Sequence, residues 1–405
     1  MANSRTMVLL ACSVLAAASG CGADTSSDNH NPVIQDLSVD QDAVLAGGGV
    51  AAVTVLASDP DGDPLQYAWN VSIGALDASS GAGPMSFTAG PERGTATISV
   101  TVTDGQGGVA TQSVDLGVLG WVPPASAGTV PAGLPFAAVG FATADEGVIA
   151  GGSDTGSNVP YIYHYKAGAW TDETKGASGH LTAVAAMASN NLWVAGGGGL
   201  AFHNDGTKWS QLTIPGGCVH GLDFVGADNI WATPAEGQPY MRQYTGGALT
   251  AWTQFAVPAS TGMGGVSMAS ATDGWAVGNA GRVIHFDGSA WQQVDAGVTA
   301  ALKTVDMVAP NDGWIVGATG TLLHWDGSAW TPIQTPAGTT ALNGVYAVAA
   351  DDVWVVGNNG TILHWDGAAW TLVPSGTTSA LMAVTMISPT DGWIVGAEST
   401  ILHLE

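Results

Sequence analysis

Three carboxylates within five residues, Asp59, Asp61 and Asp63 of the run DPDGD, form the densest group of potential ligands in this chain. Hard oxygen donors this close together suit Ca2+. Asp104 of TDGQGG joins them if its turn lies at the same end of the fold. The same Asp, Pro and Gly residues are also turn formers on exposed loops, so a ligand set and a plain turn both stand as readings. Six histidines, His164, His203, His285, His324, His364 and His403, fall at one position of successive repeats. Spread over separate copies, they cannot converge on one metal ion, and a structural role is expected of them. Cys12, Cys21 and Cys218 are the only cysteines. Cys218 reads as a small buried hydrophobe.

The elements that carry these residues repeat. Tryptophans of a D-x-W pattern stand at 193, 231, 275, 314, 354 and 393, and Val148 takes the same slot once earlier, giving seven copies. Such spacing belongs to propellers or solenoids. In the fifth copy LKTVDM, GWIVG, TLLHW and AWTPI read as four short strands, with Asp326-Gly327 at the turn between the last two. Four strands per copy without a helical period predict propeller blades. The last copy, LMAVTM, GWIVG and TILHL, ends one strand short at Glu405, and GWVPP at 120–124 matches the missing AWTLVP strand. A ring closed by that segment leaves no open sheet edge.

The pattern H-x-D-G-x-x-W, seen in HFDGSAW, HWDGSAW and HWDGAAW, resembles the Asp-box of BNR repeats. The whole repeat is similar to the propellers of photosystem II assembly factors and of sialidase-like proteins, over residues 119–405. That resemblance implies a fold and leaves the chemistry open. Sialidases grip a carboxylate with three arginines, and only Arg242 and Arg282 are available here. Sialidase activity is therefore not expected.

Where the copies differ, function has room. The residue after the leading apolar position of each first strand is Thr182, His220, Gly264, Lys303, Asn343 and Met382 in turn, and His180 lies just before one of these strands. Beyond the second strands, on the same face, come Asp154, Glu236, Arg282 and Glu398. The candidate ligand-binding set is Asp154, His180, His220, Glu236, Arg282, Lys303, Asn343 and Glu398, against the plainer reading of these as solvated loops. A glycoside hydrolase or lyase using Asp154, Glu236 or Glu398 is the enzymatic alternative. No nucleophile, base and orienting group can be assembled by spacing alone. The expected function is non-enzymatic binding of a protein or glycan, with a passive assembly factor as a third reading.

Ahead of the repeats, residues 32–118 carry runs such as VAAVTVLASDPDGDPLQYAW, whose alternation between turn clusters predicts a small antiparallel sandwich. They resemble PKD-like and cadherin-like Ig-fold modules, although YAWNVSIG stands where PKD domains carry WDFGDG. The first 20 residues have Arg5, then a short apolar run, then small residues before Cys21, which resembles a lipoprotein signal peptide with Cys21 as the lipidated residue and 21–31 as a tether. With Cys21 lipidated, no disulfide remains for the exported protein.

Across 405 residues, 33 acidic against 8 basic groups leave a net charge of −25, and 46% of residues are hydrophobic. A surface so acidic repels nucleic acid and anionic headgroups. The expected protein is all-β, an Ig-like sandwich followed by a seven-bladed β-propeller at 119–405. It is expected to act as a monomer at the bacterial cell envelope, on the outer membrane, cell surface or periplasmic side, touching membrane only through its lipid.

Overall fold

The computed structural model describes residues 28–152, 159–174, 176, 178–234, 238–249, 251–258 and 262–405. Alternation of side chains about a pleated strand builds the amino-terminal sandwich. In β7 (Gly94–Thr103), Ala96, Ile98, Val100 and Val102 are all fully buried while their neighbours face outward. One sheet takes the order β1 (Val33–Val39), β3 (Val50–Ser58), β6 (Met85–Thr88), β5 (Ala75–Leu76). The other takes β2 (Ala43–Leu45), β8 (Val109–Leu119), β7, β4 (Gln66–Val71), with β2 parallel to β8. Trp69, Phe87, Ile98 and Leu116 fill the space between them, and the Trp69 indole N–H donates to Gly81 O at 3.0 Å.

Seven four-stranded antiparallel sheets follow, numbered here as blades 1 to 7. Blade 5 is typical: Leu302–Ala309, Asp312–Gly317, Leu322–Trp325 and Trp330–Pro332. Its second strand is buried on both faces because a neighbouring blade covers each. The last hairpin turns through Asp326–Ala329, with Gly327 at φ +87° where a side chain would be strained. There the Asp326 carboxylate accepts from Ser328 Oγ and from the N–H groups of Ser328 and Ala329, which holds its pKa down at about 2.

Tryptophans join the blades by one recurring contact. The second-strand Trp of blades 2 to 7 meets the fourth-strand Trp of the next blade edge to face. The pairs are Trp193 with Trp252, Trp231 with Trp291, Trp275 with Trp330, and Trp314 with Trp370. Trp393 continues the series onto Trp170 of blade 1. Most of these buried indole N–H groups have no oxygen acceptor, and a T-shaped neighbour sets an indole edge against a π face, which partly offsets that loss.

The first strands of blades 1, 2 and 4 to 7 carry a bulge, as between Met307 and Ala309 in blade 5. A bulge takes backbone N–H groups out of the ladder. Side chains of the preceding blade accept them: Asp223 Oδ2 takes Met268 N–H at 2.6 Å, Ser267 Oγ takes Met307 N–H at 3.0 Å, and Asp306 Oδ2 takes Ala347 N–H at 2.7 Å.

The ring closes as the sequence predicts. Strand β9 (Trp121–Val122) pairs with Ile401–Leu404 and completes blade 7, with Trp121 set against Trp354 at 5.3 Å and 79°. Only Gly120 separates β8 of the sandwich from β9 of the ring. Around this junction Gly120 and Glu405 exchange backbone hydrogen bonds, Ala46 N–H donates to Leu119 O, and Arg93 pairs with Glu405 at 3.2 Å.

Candidate functional site

First strands line the central channel, so their side chains and edges decide what meets a ligand there. At one end a cavity of about 590 Å³ gathers Thr182, His220, Gly264, Lys303, Asn343 and Met382, with Ala137 as the blade 1 member. The register that aligned these residues in the sequence thus brings six blades to one mouth. Lys303 Nζ donates to Asn343 Oδ1, and Asn343 Nδ2 donates to Leu381 O at 2.6 Å and to Asn358 Oδ1 at 3.0 Å. Thr304 Oγ1 donates to Asn343 O at 2.8 Å. These bonds tie blades 5, 6 and 7 together across the mouth. Burial pushes the Lys303 ammonium pKa down.

The other members of the predicted set sit elsewhere. His180 packs its ring against Gly197 and does not line the cavity. Arg282 opens a third strand and directs Nη1 to Pro258 O at 2.6 Å and Gln293 Oε1 at 3.3 Å. Glu398 adopts φ +56° and accepts from Ser379 Oγ at 3.3 Å. Asp154, Glu236 and Cys21 lie outside the described residues. Cys218 is half-buried, not buried as expected, because its Sγ turns toward Gly198 N–H at 3.2 Å in an open glycine turn. Asn279, which also lines the mouth, gave no signal in the repeat alignment.

Six residues, Val139, Val184, Leu222, Val266, Val345 and Val384, border both this cavity and a second one of about 400 Å³ at the opposite end, and Val305 of blade 5 borders the second. This aliphatic belt is the waist of the channel. Beyond it stand Asp223, Asp306 and Tyr346. Burial drives the Asp223 carboxyl up to about 7 and Asp306 up to about 6, and the Asp306 charge adds to the effect on Asp223. Tyr346 rises to about 12 for the same reason, with both carboxylates contributing.

A consequence for stability follows. Both carboxyls hold protons more tightly folded than unfolded, so their contribution is complete below pH about 4 and fades as pH rises towards 7. Asp306→Asn keeps an acceptor for Ala347 N–H and removes the charge. It is expected to raise stability at pH 8 by on the order of 1 to 3 kcal/mol and to leave stability at pH 4 nearly unchanged. Chemical denaturation at the two pH values checks this; a variant weaker than wild type at pH 8 would show that the charged acceptor is needed.

The histidine series is structural in its geometry. His285, His324, His364 and His403 each face the aspartate that opens their own blade's second strand, at 2.9 to 3.0 Å, and each lies on the Trp two residues beyond that aspartate.

At the end of the sandwich, Asp59, Asp61 and Asp63 each offer one carboxylate oxygen within 4.8 Å of the others. Asp59 Oδ2 is buried without a hydrogen-bond partner. Burial, with the charges of Asp59, Asp104 and Asp61, raises the Asp63 pKa. Asp104 stands near but outside this triplet: its carboxylate accepts from Asn29 Nδ2 at 2.8 Å and from the N–H groups of Gln106 and Gly108. It organises its own turn.

Residues 29–117 match the bacterial Ig domain family. No curated protein matches the chain. Among solved structures, YCF48 bound to D1 peptide is 16% identical with a TM-score of 0.55, covering 68% of this chain and 92% of that one. YCF48 from Cyanidioschyzon merolae is 14% identical at 0.55, covering 71% and 98%. The RRP9 WD40 repeats are 10% identical at 0.57, covering 71% and 96%. At these identities the likeness is one of fold, and it agrees with the geometry: the chain is an all-β protein, an Ig-like sandwich followed by a closed seven-bladed propeller.

Proposed function

We propose that the ring is a non-enzymatic protein-binding platform that engages its partner at the mouth lined by Lys303, His220 and Asn343. The observation that carries this is the convergence of the most varied positions of an otherwise uniform repeat on one cavity of about 590 Å³. YCF48 bound to D1 peptide, a protein of the same fold, supports it by showing such a ring in complex with a peptide. The aspartate turns are read as Asp-box elements that serve the hairpins and do no chemistry. In the test, full-length chain captures a cross-linked protein from a native envelope fraction, and Met382→Trp, which fills the mouth, abolishes capture. Capture undiminished by that change would place the docking surface elsewhere.

Anchoring at the cell envelope through a lipid on Cys21 is part of this reading, and loss of membrane fractionation in Cys21→Ser tests it. The sandwich is read as a Ca2+ module in which Asp59, Asp61 and Asp63 are the ligands, supported by the unpartnered oxygen of Asp59. Ca2+ at 100 times its dissociation constant is expected to stabilise the sandwich by about 2.7 kcal/mol. Melts with Ca2+ and with chelator measure this, and Asp59→Asn is expected to abolish the difference.

A further inference from the structure

Building on the docking reading of the mouth, we propose that the cavity recognises a carboxylate, held on Lys303, and that the group is the side chain of a single acidic residue in a peptide. Lys303 is the one formally charged residue among the described residues that line the cavity. Among the described residues no ion pair engages it; its hydrogen bond goes to the neutral Oδ1 of Asn343. An ammonium has three donors, so two remain for a ligand.

The acceptor it already has is fixed in place. Because Asn343 Nδ2 must donate to Leu381 O and Asn358 Oδ1, the amide cannot turn, and Oδ1 stays directed at blade 5. The ammonium is thereby pinned at the mouth, partly desolvated and, among the described residues, without a counter-charge. An anionic oxygen entering the cavity restores what burial removed, as a charge-assisted hydrogen bond.

Two further observations narrow the ligand. The chain carries a net charge of −25, and its long-range repulsion grows with the charge of whatever approaches. A singly charged carboxylate is therefore favoured over a phosphate dianion. No Trp, Tyr or Phe lines the cavity among the described residues, so a sugar ring finds no stacking face there. Aliphatic groups such as Met382 and Leu302 and the exposed strand edges suit a peptide instead.

The test is fluorescence anisotropy on the full-length chain, with a labelled, C-terminally amidated Gly-Gly-Asp-Gly-Gly peptide as the probe. A peptide with Asn in place of Asp, and trigalacturonate as competitor, form the other arms. The Asp peptide is expected to bind, to weaken about tenfold or more in Lys303→Met, and to recover in Lys303→Arg, as loss and return of one charge-assisted bond require. The Asn peptide is expected to bind the wild type no better than the Asp peptide binds Lys303→Met.

Lys303→Met loses the bond to Asn343 and sheds a desolvated charge, and its melt, expected to stay cooperative, verifies that the variant is folded in the binding assay. No binding of the Asp peptide, equal binding of both peptides, or an unchanged affinity in Lys303→Met overturns the proposal. Stronger binding of trigalacturonate than of the Asp peptide overturns the peptide class. Envelope capture lost in Met382→Trp yet kept in Lys303→Met defeats the carboxylate and spares the docking reading; capture kept in both defeats the docking reading itself.

Discussion

Trp314→Ala is expected to destabilise the ring by roughly 3 to 5 kcal/mol, the range for truncating a buried aromatic. The side chain is 3% exposed. It lies on His324 of its own blade at 4.2 Å between ring centroids and meets Trp370 of the next blade at 5.2 Å and 81°. Removal therefore opens a cavity between two blades and uncouples the His324–Asp312 pair from the surface that holds it. Trp314→Phe should lose less, because a ring still faces Trp370. Denaturant unfolding of both variants measures the effect; a midpoint unmoved by Trp314→Ala would contradict the packing that unites the blades.

Trp121→Ala is the second large expectation. The closing strand β9 has two residues, and Trp121, also 3% exposed, joins the core cluster of Trp354, Val373 and Leu402 and meets Trp354 edge to face. The truncation should cost about 3 to 5 kcal/mol. It also weakens the strand that covers the outer edge of Ile401–Leu404, and an uncovered strand edge pairs with other chains. Loss of stability is thus expected together with self-association, seen as a lower unfolding midpoint and larger species in sedimentation. Trp354→Ala should not be additive with it, since the two rings touch, and a coupling of roughly 0.5 to 1.5 kcal/mol is expected from the double-mutant cycle. A stable monomeric Trp121→Ala chain would mean that the ring is held shut by something other than this strand.

Much of the architecture is legible in the sequence because a repeat exposes its own rules. Trp193, Trp231, Trp275, Trp314, Trp354 and Trp393 mark the second strands, and the lone GWVPP segment marks the closure. The mouth was legible in part: the register that aligns Lys303 with Asn343 is periodic, and one position per blade reaches the cavity. What those side chains do there was not, because Asn343 takes its partners from Leu381 and Asn358, contacts set by blade-to-blade spacing.

Arg282 and Glu398 mislead for a related reason. Both stand on the expected face, yet Arg282 turns to a backbone carbonyl and a glutamine, and Glu398 to a serine. Side-chain direction is absent from a spacing argument. Asp223 and Asp306 carry no sequence signal of their role, because the backbone N–H groups they accept belong to the next blade. Arg242 is plainer still. It occupies the slot that Leu323 fills in blade 5 and is 1% exposed, with Nη2 in the space a side chain on Gly216 would need.

The direct passage of β8 into β9 through Gly120 has a mechanical consequence. Any tension applied at the amino end runs along a sandwich strand and arrives, without a slack linker to absorb it, at the ring's one non-covalent seam. Load on the molecule therefore falls first on the bonds between Gly120 and Glu405 and on the clasp of Trp121 over Trp354, so the propeller would yield at its fastening before any of its other blades felt the pull.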